Sequence, residues 1–256
     1  MVCVSRIIGI VSGKGGVGKT TVAINLSAAL SHYMKKYVTL VDCNLTTSHL
    51  GIYLGLYQYE KSLNHAMRGE AHISDTTYHH SSGIRVVPAA LSLKELEGTD
   101  VSQLRSAIES LAATNDLVLL DSGPGLGREA LATLRACDQV LFVATPDVPS
   151  VIDVARSNEI AEELGVAPLG IVLNMIHKKD FELSAKEVEE LTHLPVIASF
   201  RFDKTMRKCL AQRTPLVTHD PSAPMSRQFH RLASRLMNEP YEEQYAWSSL
   251  QKLKFW

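Results

Sequence analysis

Residues 13 to 21 read Gly-Lys-Gly-Gly-Val-Gly-Lys-Thr-Thr, and no other stretch restricts the fold as strongly. Gly13, Gly18, Lys19 and Thr20 satisfy the phosphate-loop spacing G-x-x-x-x-G-K-[ST]. Such a loop works only between a strand and a helix, because its N–H groups and the helix N-terminus must converge on phosphate oxygens. Both flanks agree. Arg6 to Ser12 is a short apolar run expected to be a buried strand, and Thr21 to Leu30 carries apolar residues at helical spacing. Lys19 is placed to reach the outer phosphates, and the Thr20 hydroxyl to ligate Mg²⁺. Gly15, Gly16, Val17 and Thr21 complete the expected nucleotide cradle, together with a second lysine, Lys14.

The rest of the chain supplies the sheet that such a loop requires. Apolar runs recur at Tyr37–Asp42, Ile84–Pro88, Asp116–Asp121, Gln139–Ala144, Leu169–Asn174 and Pro195–Ala198. Helical patterns lie between them, clearest at Ser102–Ala113, Arg128–Ala136, Ser150–Leu164 and Ser184–Leu191. Strands that are apolar throughout and alternate with helices predict a doubly wound α/β domain, with a mostly parallel sheet covered on both faces. Ligands of such sheets bind beyond the carboxyl ends of the strands, which here carry Ser12, Asp42, Asp121, Thr145 and Asn174. Two aspartates and a phosphate loop on one rim predict a magnesium-nucleotide site. Residues 1–238 are expected to form this domain. Asn238 to Glu243, acidic and containing a proline, reads as a linker, so that residues 239–256 form linker and tail.

The chain has 256 residues, 45 % hydrophobic and 21 % charged, with a formal net charge of −1. No global field draws it to nucleic acid or membrane, and any such binding requires a local patch. Four widely spaced cysteines without a Cys-x-x-Cys argue against a zinc site, an iron–sulfur cluster or a disulfide framework, and favour a reduced, cytoplasmic setting. The first strand begins within about six residues, which leaves no room for a cleavable signal, and no apolar run approaches the roughly 18 residues of a spanning helix. The histidines, including Tyr78-His79-His80, show no ligand spacing and are expected in exposed loops.

The string Gly13–Thr21, with Lys14 near its start, resembles the deviant Walker A motif of the MinD/ParA ATPases, which are P-loop NTPases of the SIMIBI type. The resemblance extends over residues 6 to 237. It implies that Lys14 crosses a dimer interface to the partner's nucleotide, giving an ATP-dependent homodimer. Asp121, with the Ser-Gly-Pro-Gly-Leu-Gly127 run after it, looks like the Walker B acid and a switch loop in which backbone N–H groups near Gly123 to Gly125 sense the γ-phosphate. Asp42 and Asp121 are then expected to hold Mg²⁺ through water beside Thr20. Where bacterial relatives read Asp-x-Asp, this chain reads Asp42-Cys43-Asn44. The resemblance assigns that second position to orienting the attacking water. An amide can do this in a loose phosphoryl-transfer transition state, so Asn44 predicts slow hydrolysis. Asn174 matches the position that reads adenine with a side-chain amide, which implies ATP as the nucleotide, and Arg201-Phe-Asp203 falls where relatives contact the base.

Residues 246 to 256 place Trp247, Leu250, Leu253 and Trp256 at spacing three, with Lys252, Lys254 and Phe255 alongside. This resembles the C-terminal membrane-targeting helix of MinD. A short amphipathic helix binds anionic headgroups weakly, and a pair presented by an ATP dimer binds much better. The resemblance therefore implies a protein that cycles between cytoplasm and membrane to position a division site or another polar structure, reset by partner-stimulated hydrolysis. A competing expectation comes from Arg227, Arg231 and Arg235, spaced four apart on one helix face within a basic stretch. ParA relatives use such surface for sequence-independent DNA contacts. A third reading is an ATP-loaded scaffold with little turnover.

Overall fold

The computed structural model describes residues 5–241, and among these an eight-stranded sheet carries helices on both faces. In chain order the elements are β1 (Arg6–Val11), α1 (Lys19–Ala28), β2 (Val38–Cys43), α2 (Leu50–Tyr53), α3 (Leu63–Met67), β3 (Tyr78–His79), β4 (Arg85–Val87), α4 (Leu104–Ala112), β5 (Leu117–Ser122), α5 (Arg128–Ala136), β6 (Gln139–Ala144), α6 (Val148–Glu163), β7 (Ala167–Ile176), α7 (Ala185–Thr192), β8 (Val196–Arg201), α8 (Lys204–Ala211), α9 (Leu216–His219) and α10 (Pro224–Met237). The strand order is β3-β4-β2-β5-β1-β6-β7-β8, parallel throughout except for β3.

Side chains alternate across each strand, so one apolar run supplies two cores. Ile7, Val118, Leu120 and Phe142 face one layer, where they meet Leu104 and Ile108 of α4, Leu134 of α5, Val151 and Val154 of α6 and Val188 of α7. Ile8, Ile10, Leu119 and Leu141 face the other, against Val22 and Leu26 of α1 and Phe229 and Leu232 of α10. Each buried Leu, Ile or Phe stabilises the fold by roughly 1.5–3 kcal/mol, so both layers hold the central strands firmly. That rigidity fixes the rim on which the candidate site stands.

The helix boundaries follow local chemistry. The Asp147 side chain accepts from the Ser150 N–H at the start of α6, and Ser184 and Glu187 form a reciprocal capping box on α7. Three expectations from the sequence need correction, and the first concerns His230, which lies buried on α10 rather than in an exposed loop. The first helix starts at Lys19 rather than Thr21, because the loop turns directly into it, and it continues past Ala28 as a wider π-type turn over Ala29–Tyr33. Tyr78-His79, expected in a loop, is instead a two-residue antiparallel edge strand against β4, and the His80 imidazole lies 2.7 Å from the Ser82 hydroxyl.

Candidate functional site

β1 ends at Val11, and the chain then curls through Gly13–Gly18 into the N-terminus of α1. Gly18 has φ +88°, a left-handed conformation in which glycine is the unstrained residue, and a Cβ there would lie 2.4 Å from the Asn174 amide nitrogen. Gly13 is needed for space. A Cβ on it would fall 2.0 Å from the Cβ of Asp153, on the inner side of α6. The loop therefore runs in close backbone contact with α6 on one side and with Asn174 of β7 on the other.

Lys19 is buried, and its ammonium donates to the Asp121 carboxylate at 2.9 Å and to the Ser122 carbonyl. Asp121 and Asp42 are register partners on adjacent strands, and both are almost completely buried. Burial, then repulsion from Asp121, pushes the Asp42 carboxyl up to about 7, although Ser48 and the Asn44 N–H donate to it. The two buried acids and the Thr20 hydroxyl, which lines the adjoining cavity, are hard oxygen donors of the kind that suits Mg²⁺. Among the described residues no group of three or more His, Cys, Asp and Glu is gathered to hold a metal. Mg²⁺ would thus depend on nucleotide phosphates and water for most of its ligands, as is usual for this ion.

A cavity of about 430 Å³ opens over the loop. Gly15, Gly16, Val17, Gly18, Lys19, Thr20 and Thr21 form its floor, with Ser12 and Lys14 beside them, and Asn44, Thr47 and His49 border it from the β2 side. The wall beyond Asn174 is made by Met175, Arg201, Phe202, Asp203 and Arg207. Phe202 stacks with His177 at 4.7 Å between ring centroids and lies under the Arg207 guanidinium at 5.5 Å. A planar group entering beside this wall would meet both an aromatic face and a cation.

Of the residues expected at the site, Lys14 to Thr21, Asn44 and Asn174 line this cavity, whereas Gly13, Asp42, Asp121 and Gly123 do not; three of the lining residues have partners that the sequence did not disclose. Lys14 forms an ion pair with Asp147 at 2.7 Å, both side chains being more than a third exposed. The same Asp147 accepts from the Thr145 hydroxyl and caps α6. Asn174 donates its amide to the Val17 carbonyl at 2.8 Å, so it braces the phosphate loop as well as facing the cavity. Asn44 is paired reciprocally with Thr47: its amide nitrogen donates to the Thr47 carbonyl at 2.7 Å, and its amide oxygen accepts from the Thr47 hydroxyl at 3.0 Å.

The expectation for the switch segment narrows, because Pro124 has no N–H, leaving Gly123 and Gly125 as the donors of that run. Sequence reading also missed Glu129, on the first turn of α5, and its partner Thr46. The tail residues Trp247, Leu250, Lys252, Leu253, Lys254, Phe255 and Trp256 lie outside the described residues.

The geometry agrees with three comparisons. Residues 3–237 match the family model named ParA, described as an iron-transfer P-loop NTPase of the NUBPL type. An uncharacterised ATP-binding protein of Methanocaldococcus jannaschii is 33% identical over 234 residues, which is 91% of this chain and 89% of that protein. The cell division ATPase MinD of Pyrococcus furiosus superposes with a TM-score of 0.87 at 30% identity, covering 91% of this chain and 98% of that one. The septum site-determining protein MinD of Pyrococcus horikoshii, complexed with Mg-ADP, gives a TM-score of 0.86 at 27% identity, covering 95% and 98%.

Proposed function

The chain belongs to the ParA family of P-loop NTPases, and from that premise we propose a MinD-like ATPase that uses ATP to switch between a cytoplasmic and a membrane-attached state. Nucleotide hydrolysis is the general chemistry of P-loop NTPases. The finer reading is that two copies close face to face around Mg-ATP, adhere to anionic membrane through residues 246–256, and separate after slow hydrolysis stimulated by a partner protein.

Lys14 carries this reading. It borders the cavity, more than a third exposed, with its ammonium engaged by Asp147 at the N-cap of α6. A lysine held there is poised to leave for a second nucleotide, since a surface ion pair costs only about 0–1 kcal/mol to break. Lys19 is the buried lysine of the phosphate loop, bonded to Asp121 and the Ser122 carbonyl, so Lys14 is the one left for a role in trans.

In the hydrolytic step, Lys19, Lys14 and the Mg²⁺ held near Thr20, Asp42 and Asp121 would neutralise charge on the leaving phosphate. Asn44 would orient the attacking water, and Asn174 and the Phe202 wall would receive adenine. The amide offers the donor and acceptor that the adenine edge complements.

A second reading has one supporting observation. Arg227, Arg231 and Arg235 follow one another along α10, with Arg231 and Arg235 exposed, which would suit phosphates of nucleic acid. Removing residues 246–256 separates the two. The membrane reading expects lost liposome binding with ATP binding intact; the DNA reading expects salt-sensitive DNA binding to survive the truncation.

A further inference from the structure

Asn44 stands on the loop that follows β2, and Gly123 on the loop that follows β5. The structure joins these two loops through one carboxylate. Glu129 Oε1 accepts from both the Thr46 N–H, at 2.8 Å, and the Thr46 hydroxyl, at 2.5 Å. Its other oxygen occupies the space beside Gly123 that a side chain would take, since a Cβ added there would come within 2.5 Å of it. Glu129 is itself fixed, because it lies on the first turn of α5, where the helix dipole favours an acid and the backbone is already committed.

One residue on from Thr46, Thr47 engages both ends of the Asn44 amide. The path thus runs from Gly123, by close packing, to Glu129, by two hydrogen bonds to Thr46, along the chain to Thr47, and by two more hydrogen bonds to Asn44. With its oxygen and nitrogen both turned onto Thr47, the Asn44 amide is directed along its own loop rather than out toward a water at the γ-phosphate.

We propose that Glu129 is a positioning residue: it pins Thr46 so that Asn44 stays withdrawn on Thr47 until the Gly123 segment shifts. Movement of Gly123 by even an ångström changes the room available to the Glu129 carboxylate, and with it the hold on Thr46. Occupation of the γ-phosphate position would reach Asn44 by this route. The proposal rests on the reading of the cavity as an ATPase site, and it adds a brake to that site: unstimulated turnover is slow because the water-orienting amide is held back, and not only because it is an amide.

The test uses the full-length chain with Glu129→Ala, accompanied by Glu129→Gln, which keeps an acceptor, and Thr46→Val, which keeps the N–H. Hydrogen exchange of the Thr46 amide is measured first, without nucleotide, since it reports on the pin whether or not the protein hydrolyses ATP. Glu129→Ala should speed that exchange by about tenfold or more, the loss expected for hydrogen bonds to a charged acceptor, with Glu129→Gln between it and the wild type. Single-turnover hydrolysis is measured second. The rate constant should rise several-fold in Glu129→Ala and less in Thr46→Val, with the Kd for Mg-ATP unchanged. The gain should vanish when Asn44→Ala is added, which a merely structural role for Glu129 would not produce. Unchanged Thr46 exchange overturns the pin. Faster exchange with a turnover rate equal to or below the wild type, or a gain that survives Asn44→Ala, overturns the brake. Wild-type protein that binds Mg-ATP without hydrolysing it would sink the ATPase reading and the brake together, whereas the pin would still be judged by exchange.

Discussion

Gly13→Ala is the sharpest way to challenge the contact between the phosphate loop and α6. The new methyl would lie 2.0 Å from the Asp153 Cβ and 2.8 and 2.9 Å from its backbone carbon atoms. Ordinary carbon contacts are about 3.5–4.0 Å, so roughly 1–2 Å of separation must be found. No rotamer change can supply it, because the opposing atoms are main chain and Cβ. If α6 retreats, the buried Val151 and Val154 lose their packing on the sheet, and overpacking of this kind costs typically 1–3 kcal/mol. For a domain of this size that lowers Tm by roughly 2–12 °C. If the loop yields instead, its N–H groups leave hydrogen-bonding range of the phosphates. Loss of one such charge-assisted bond weakens binding by roughly 10- to 150-fold. Gly16→Ala is the internal control. Its Cβ would meet no protein atom within 4 Å, so at φ +82° its effect on Tm is confined to backbone strain of about 1–2 kcal/mol, whereas its methyl faces the nucleotide cavity and Gly16→Ala is a control for stability only. Thermal denaturation and titration with a fluorescent ATP analogue read both quantities. Gly13→Ala with wild-type Tm and wild-type affinity would refute the steric reasoning.

Three further outcomes are expected. Asp147→Asn keeps the cap on α6 while removing the charge that holds Lys14, so Tm should move little while the ATP concentration needed for dimerisation, followed by light scattering, falls; a rise would mean that Asp147 positions Lys14 rather than restraining it. Asn44→Asp should raise turnover severalfold, and an unchanged rate would remove Asn44 as a cause of slow hydrolysis. Burial holds the His230 imidazole down to about 4, below its ordinary 6.5, where it stacks on Tyr33 at 4.1 Å. The unfolded chain therefore takes up this proton first, so stability from this group is complete above about pH 6.5 and is lost as pH falls toward 4. Urea denaturation across that window should show a shallower pH slope in His230→Gln than in the wild type.

The alternation of strands and helices was legible because every central strand is buried on both sides and is therefore apolar along its whole length. The phosphate loop was legible because its chemistry fixes residue types at consecutive positions. What escaped was decided by strand order. Lys14 and Asp147 are 133 residues apart, Thr46 and Glu129 are 83 apart, and Asn174 and Val17 are 157 apart. These pairs meet only because β2, β5, β1, β6 and β7 lie side by side, and no periodicity in the chain reports that order. Tyr78-His79 failed for a different reason, since a strand of two residues has too few positions to show alternation. Asn44 was found as a departure from a pattern, but its engagement by Thr47 depends on a loop conformation that residue identity does not reveal.

The central claim is an ATP-driven switch between a free and a membrane-bound dimer. Sedimentation of the full-length chain with anionic liposomes, with and without Mg-ATP, tests it most directly when the oligomeric state is measured in the same samples. The account predicts a dimer that pellets with the lipid only when Mg-ATP is present. A dimer that forms with Mg-ATP and stays in the supernatant would contradict the membrane half of the claim, and a chain that remains monomeric with Mg-ATP would contradict the whole.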